Sequence, residues 1–344
     1  MQTTEAGILY AGADLHGNNV FLSVVDGTGK EVFRRRVATT LDAVNQALDP
    51  YWPRIAALGV ESTFNWYWLV DGLQAQGREI KLGNPAKMDQ YKGLKRADDR
   101  SDARWLAEQL RLGVFPTCYV YPRQIRGVRD ALRRRQMFVR QRTQSILSLE
   151  GLLARYGLEA PGVYALSRKW TLRDIEATGL EPFVQLQLRT LLESLRGSDR
   201  LAQEMEDSVQ EFLQPAEVLA RIRQVPGIGP ILGMTIVLES GDFARFPDAG
   251  CYASYCRAVD SRRDSNGKKK GENNRRNGNP YLGWAFIEAA ALSLRFEPKI
   301  QSWYDRKKRQ RNSIVARKAL ACKLAKAVWH VMNGKDFDMH MLFG

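Results

Sequence analysis

The chain has 344 residues, 44% hydrophobic and 26% charged, enough for two or three domains with real cores. Its 52 Lys and Arg exceed 38 Asp and Glu, and the formal net charge of +14 points to a polyanionic partner. Four cysteines without a CxxC pair and three histidines outside ligand spacing argue against a zinc site, and no apolar run reaches membrane-spanning length, so the chain reads as cytoplasmic with reduced thiols.

The first part reads as α/β. Ile8–Ala13 is apolar and suited to a strand, Val20–Val25 is a second, and Asp26-Gly-Thr-Gly-Lys30 turns the chain into a third, Glu31–Val37. Thr39 or Thr40 caps a helix through Leu48. Ile55–Glu61 is a fourth strand, apolar enough to be buried on both faces. Trp66–Gln76 has helical periodicity, Glu79–Leu82 is a short fifth strand, and Asp99–Leu112 is a helix with Ala103, Leu106 and Leu110 on one side. Three meandering strands followed by helix, strand, helix, strand, helix is the element order of the ribonuclease H-like fold. In that fold the first and fourth strands are neighbours, so Asp14 and Glu61 are expected side by side, with Asp99 and Asp102 carried to the same point by the helix.

From Gln124 to Gln214 the composition is helical. Arg126–Gly157 is basic, with Arg133, Arg134, Arg135, Arg140 and Arg142 crowded together. Leu188, Leu191, Leu192, Leu195 and Leu201 lie at roughly heptad spacing, which fits either a coiled-coil arm or a plain two-helix element, because Arg196-Gly-Ser198 is expected to interrupt the pattern. After Pro215, the run Val225-Pro-Gly-Ile-Gly-Pro230 reads as a turn between helices, either packing tightly or presenting backbone N–H groups to a phosphate. Arg262–Arg276 reads as a flexible basic loop whose cations, Arg262, Arg263, Lys268, Lys269, Lys270, Arg275 and Arg276, suit phosphates. Helical patterns resume at Tyr281–Arg295 and Ser313–Met332.

The chemistry rests on the acids. Two Mg²⁺ ions need hard, charged oxygens, which aspartate and glutamate supply, and such ions activate the attacking oxygen and neutralise the leaving one in phosphoryl transfer. Asp99 and Asp102, at i and i+3, share a helix face, as do Asp98 and Asp102 at i and i+4. Taken singly, Asp99 or Asp102 suits a helix N-terminus, Glu61 a strand end, and Asp14 a turn with His16 and Gly17. Together, in this order on a basic chain, they suit a metal-dependent nucleic-acid enzyme. Ser265, in Arg263-Asp-Ser-Asn-Gly-Lys268, is either a turn residue or a nucleophile that holds a broken strand for rejoining.

The combination resembles the DEDD transposases of a large bacterial insertion-sequence family. It is carried by Asp14, Glu61, Asp99-Arg-Ser-Asp102-Ala-Arg104 with Leu106-Ala-Glu108, Asn84-Pro85, Val225-Pro-Gly-Ile-Gly229, and Ser265-Asn-Gly-Lys268 followed by Gly271, Asn277-Gly-Asn279 and Tyr281-Leu282. The resemblance implies a RuvC-like catalytic domain with a basic linker helix over residues 1–157, a helical coiled-coil region over 158–215, and a mainly α transposase domain over 216–344. It further implies Mg²⁺ at Asp14, Glu61, Asp99 and Asp102, Ser265 as nucleophile, and a homo-oligomer, dimer or tetramer, acting at the nucleoid on donor and target DNA. Family members are guided by a structured RNA of the element, the bridge RNA; base pairing then supplies sequence specificity while the protein holds backbones. Three positions depart from the family pattern: Ser62-Thr63-Phe64-Asn65 after the glutamate, Leu15-His16-Gly17 after the first aspartate, and Ser265-Asn266-Gly267 around the serine. The rival readings are a junction nuclease that hydrolyses without rejoining, an actin-like ATPase or kinase with a phosphate hairpin at Gly12-Ala-Asp14 and Gly17, and a non-catalytic nucleic-acid binder.

Overall fold

The computed structural model describes residues 7–88, 99–213, 217–260, 263–266, 268–271 and 277–343, with backbone alone at 99, 100, 263–265 and 269. The chain divides into two compact units, the first holding the chain up to Arg123 together with Asn277, and the second holding Gln124 to Gly271 and Gly278 onward.

The first unit is a five-stranded mixed sheet with helices. Strands β1 (Leu9–Leu15), β2 (Val20–Asp26) and β3 (Glu31–Val37) form an antiparallel meander. Helix α1 (Leu41–Leu48) follows, its first turn capped by the Thr40 hydroxyl accepting from the Ala43 N–H. Then come β4 (Ile55–Glu61), α2 (Tyr67–Ala75), β5 (Ile80–Gly83) and α3 (Asp99–Arg111). The sheet order is β3-β2-β1-β4-β5, with β4 parallel to both β1 and β5. This arrangement is compatible with the ribonuclease H-like fold, and the expected adjacency of the first and fourth strands is met. On one face of the central strands β1 and β4, Leu9, Ala11, Ala13, Leu58 and Val60 join a core with residues of α1 and α2, while α3 passes over the opposite face at Gly12.

The second unit is helical apart from one hairpin. It contains α4 (Arg123–Arg155, its first residue excepted), α5 (Val163–Arg168), α6 (Leu172–Glu176), α7 (Pro182–Phe212), α8 (Glu217–Ile222), α9 (Pro230–Ser240) and α10 (Ala249–Tyr255). The hairpin β6 (Arg263–Ser265) and β7 (Lys268–Gly271) precedes α11 (Pro280–Phe296), α12 (Pro298–Gln310), α13 (Ser313–Met332) and α14 (Met339–Phe343). A core of Tyr252, Phe286, Leu320, Leu324 and their neighbours joins α10, α11 and α13.

Helices α4 and α7 form an antiparallel pair. Arg135 bonds Glu206, Arg142 bonds Asp199, and Ser145 bonds Ser194, so positions run in opposite directions along the two helices. Ile146, Leu149 and Leu153 of α4 pack with Val184, Leu188, Leu192 and Leu195 of α7. The leucine repeat is thus satisfied within the chain. Arg196-Gly-Ser198 does not interrupt α7, contrary to expectation: one interior glycine costs about 1 kcal/mol, which the apolar stripe on either side offsets.

One further expectation is corrected, and one turn left open between two readings is described. The segment expected as a flexible loop contains a two-stranded hairpin, with Ser265 opposite Lys268 and Asn266 at φ +52°. Asn-Gly is the dipeptide that a tight two-residue hairpin turn favours. Gly227 has φ +82°, and a Cβ there would lie 2.1 Å from the Ala289 oxygen of α11. Tight packing against α11 therefore accounts for Gly227, whereas Gly229, at the start of α9, has nothing within 4 Å of a Cβ.

Candidate functional site

The acids of the first unit are brought together by strand register and by two glycines. β1 and β4 pair in parallel through Gly12 with Gly59 and Ala13 with Val60, so Asp14 and Glu61 follow one residue later at the same level of the sheet. Their side chains leave the same face as Gly12 and Gly59, two positions earlier on each strand. Helix α3 crosses that face closely: a Cβ on Gly12 would lie 1.9 Å from the Ala103 oxygen. On Gly59 it would strike the Phe115 ring at 2.7 Å. The missing side chains let α3 sit against the strands and carry Asp102, next to Ala103, to the acids.

The electrostatics follow from that placement. The Glu61 carboxyl is pushed above its ordinary range, first by burial, then by the charges of Asp14 and Asp102. Asp14 Oδ2 lies 3.0 Å from His16 Nε2. The His16 backbone oxygen accepts from Asn65 Nδ2 at 2.9 Å, and Thr63 Oγ1 donates to Asn65 Oδ1 at 3.0 Å. The turn after β1 and the loop after β4 are therefore tied together beside the acids. Among the described residues, no three Asp, Glu, His or Cys side chains stand close enough to hold one ion. Asp14 and Asp102 each act on Glu61 as a like charge, so the three acids face a common region of the first unit.

Gly12 has a structural reason, the close passage of α3, and it is not spent on the phosphate hairpin of an actin-like ATPase. The other end of α3 is fastened to the turn between β2 and β3. Arg104 donates to the Gly29 oxygen and Arg111 to the Gly27 oxygen, while Glu108 holds Arg111 through both carboxylate oxygens. These bonds fix the register of the helix that carries Asp102.

Asp99 is the first residue of α3, and its side chain lies outside the described residues, as does Asp98 entirely. Ser265 ends β6 in the second unit, and its side chain is likewise outside the description. Lys268 and Lys270 are exposed on β7. Arg263 and Lys269 lie in the hairpin with undescribed side chains, and Arg262, Arg275 and Arg276 fall outside the described residues.

Sequence reasoning named His16 beside Asp14 and Asn65 after Glu61 but missed the bond between them, which spans 49 positions and which no local spacing reveals. It also missed a clasp in the second unit. Glu239 on α9 is 1% exposed and accepts from Arg133 of α4 at both oxygens, 2.5 and 2.7 Å, and from Asn279 Nδ2 at 2.7 Å. Burial disfavours the Arg133 cation, yet the bonds and attraction of Glu239 raise its pKa overall. Asn279 also caps α11 and takes a backbone bond from its own N–H to the Tyr255 oxygen. An acid inside the otherwise apolar run Ile231–Leu238 and Ser240 was the available signal.

Comparison with known proteins agrees with these features. Residues 11–158 match the family model of DEDD transposases of the IS110 type, and residues 219–305 match the model described as "Transposase IS116/IS110/IS902 family". The chain is 23% identical to the transposase for insertion sequence element IS1111A of Coxiella burnetii, over 94% of this chain and 90% of that one. It is 24% identical to a probable family 20 transposase of Pseudomonas aeruginosa, over 78% and 80%. It is 23% identical to the transposase for insertion sequence element IS1328 of Yersinia enterocolitica, over 93% and 95%. No helix among the described residues is long and apolar enough to cross a membrane.

Proposed function

Since the chain belongs to the IS110 family of insertion-sequence transposases, we propose that it cuts and rejoins donor and target DNA strands, using Asp14, Glu61, Asp99 and Asp102 as Mg²⁺ ligands and Ser265 as nucleophile. The observation that carries this reading is the meeting of Asp14, Glu61 and Asp102 at the ends of adjacent parallel strands, under a helix that two glycines admit. Mg²⁺ held there would neutralise charge on the scissile phosphate and activate the attacking oxygen. The trio's mutual repulsion supports the assignment, because a dication relieves it. His16 orients the Asp14 carboxylate through the bond to Oδ2. Arg104, Glu108 and Arg111 keep Asp102 in place.

The serine step conserves the phosphoester bond. Ser265 Oγ loses its proton and attacks the phosphorus. A bond from phosphorus to sugar oxygen breaks, and the departing oxygen takes a proton. The strand stays on Ser265 as a phosphodiester until a hydroxyl of the exchanged strand displaces it. The exposed Lys268 and Lys270 supply positive charge on the hairpin that bears the serine. We assign the protein's RNA partner to the same basic surfaces, with a bridge RNA of the element pairing to donor and target, and we take the working form to be a homo-oligomer.

A strand-cleavage and joining assay with Mg²⁺ tests the reading. Asp14→Ala, Glu61→Ala and Asp102→Ala should each abolish cleavage by more than a hundredfold while leaving DNA binding intact. Cleavage by any of them removes the acids from the mechanism. Ser265→Ala should abolish joining; cleavage that persists in it would support a hydrolysing nuclease instead. Sequencing the nucleic acid that co-purifies with the protein should return one defined non-coding RNA.

A further inference from the structure

Phe64 is 87% exposed, the highest exposure of any large hydrophobic side chain among the described residues. Single exposed apolar side chains are common on protein surfaces, and Phe183, Phe296, Ile314 and Met341 are exposed too, so it is the position of Phe64 rather than its exposure that carries meaning. Its place in the chain is informative. It lies three residues after Glu61, in the loop joining β4 to α2.

That loop is held at successive points. The Ser62 N–H donates to the Gly83 oxygen and the Thr63 N–H to the Glu61 oxygen. Thr63 Oγ1 bonds Asn65, Asn65 bonds the His16 backbone oxygen, and Trp66 is buried against Tyr67. Phe64 is the member of this stretch left facing solvent. A ring displayed from an anchored loop loses little conformational freedom when it is covered.

The neighbouring surface is aromatic and cationic. Strand register places Arg36, Phe21, Asp14 and Glu61 in one row across β3, β2, β1 and β4. The exposed Arg36 guanidinium lies 5.6 Å from the Phe21 ring centroid, and the His16 ring meets Phe21 edge-on at 6.2 Å. Acids that hold metal, a cation for phosphate and rings for bases are the parts of a site for an unpaired strand.

We infer that Phe64 is a nucleobase-stacking residue, taking an unpaired base of the DNA strand whose phosphate lies at the acids, with Arg36 contacting the backbone beside it. The inference rests on the proposed cleavage site. Stacking is tolerant of sequence, because every base presents a π-face, and it fits a recombinase whose specificity comes from base pairing elsewhere.

The test uses full-length protein in EDTA and a single-stranded oligothymidylate carrying one 2-aminopurine, with the same base paired in a duplex as control. Saturating wild-type protein should change the fluorescence of the unpaired probe well beyond that of the paired one. Phe64→Ala should lose that change and weaken single-strand binding roughly tenfold, the range of one stacked base. Phe64→Trp should retain both, which separates stacking from a general disturbance. An unaltered fluorescence change in Phe64→Ala, or none in the wild type at saturation, overturns the inference. The readout needs no cleavage. Phe64-dependent stacking in a protein that cuts no DNA with any divalent ion would sink the nuclease reading and leave the stacking role standing. Metal-dependent cutting with unchanged fluorescence in Phe64→Ala would do the reverse.

Discussion

Glu61 concentrates the conflict between folding and chemistry in one side chain. Burial and two neighbouring carboxylates raise its pKa in the folded protein. The folded state therefore keeps the proton to higher pH than the unfolded chain. Stability falls as pH rises from the ordinary glutamate value through the raised one, and the whole penalty is present above it. In metal-free buffer, Glu61→Gln should raise Tm by a few degrees at neutral pH. The gain should vanish in acid, where both side chains are neutral. Mg²⁺ should raise the wild-type Tm and leave Glu61→Gln nearly unmoved. Equal melting of the two proteins at every pH would show that the trio carries no strain. The acids were legible in the sequence because each ends or begins a recognisable element. The His16 and Asn65 contacts were not, because they join turns far apart in the chain.

At the scale of elements, strands and helices of the first unit follow from alternation, apolar runs and the Thr40 cap, and their boundaries shift by only a residue or two. What was illegible was the purpose of the glycines. Gly12 reads equally well as part of a phosphate hairpin until α3 is seen against it. Gly12→Ala should destabilise by about 3 kcal/mol, the upper range of overpacking, and should also stop cleavage by displacing Asp102. Gly197→Ala is the contrasting case. Nothing lies within 4 Å of a Cβ there, inside α7, so the change should stabilise by about 1 kcal/mol. Chemical denaturation of both variants measures the pair of effects, and a mild response at Gly12 would mean that α3 can lift without loss. The serine segment was misread as loose because its many charges and glycines suggest solvent. Asn266 and its partner strand show the turn that the Asn-Gly pair supports.

For the whole molecule, charge sets behaviour that no single contact does. With a formal charge of +14, DNA binding should be dominated by counterion release. A plot of log affinity against log salt should fall with a slope of about −5, corresponding to roughly six neutralised phosphates. A flat plot would remove the basic surfaces from the interface. The helical half was less legible than the sheet, since a leucine stripe specifies that a partner exists but not whether it belongs to the same chain. Here α4 supplies it.

That helix has a second set of partners. It is one rod of 33 residues, about 50 Å long, and its contacts with α7 run from Arg135, beside Arg133, through Arg142 and Ser145 to Leu153. Through Glu239, Arg133 grips Asn279, which follows the hairpin segment, and the Tyr255 oxygen that receives the Asn279 N–H precedes it. The helix that covers the leucine stripe of α7 is therefore also the one tied to both chain segments from which the serine hairpin springs.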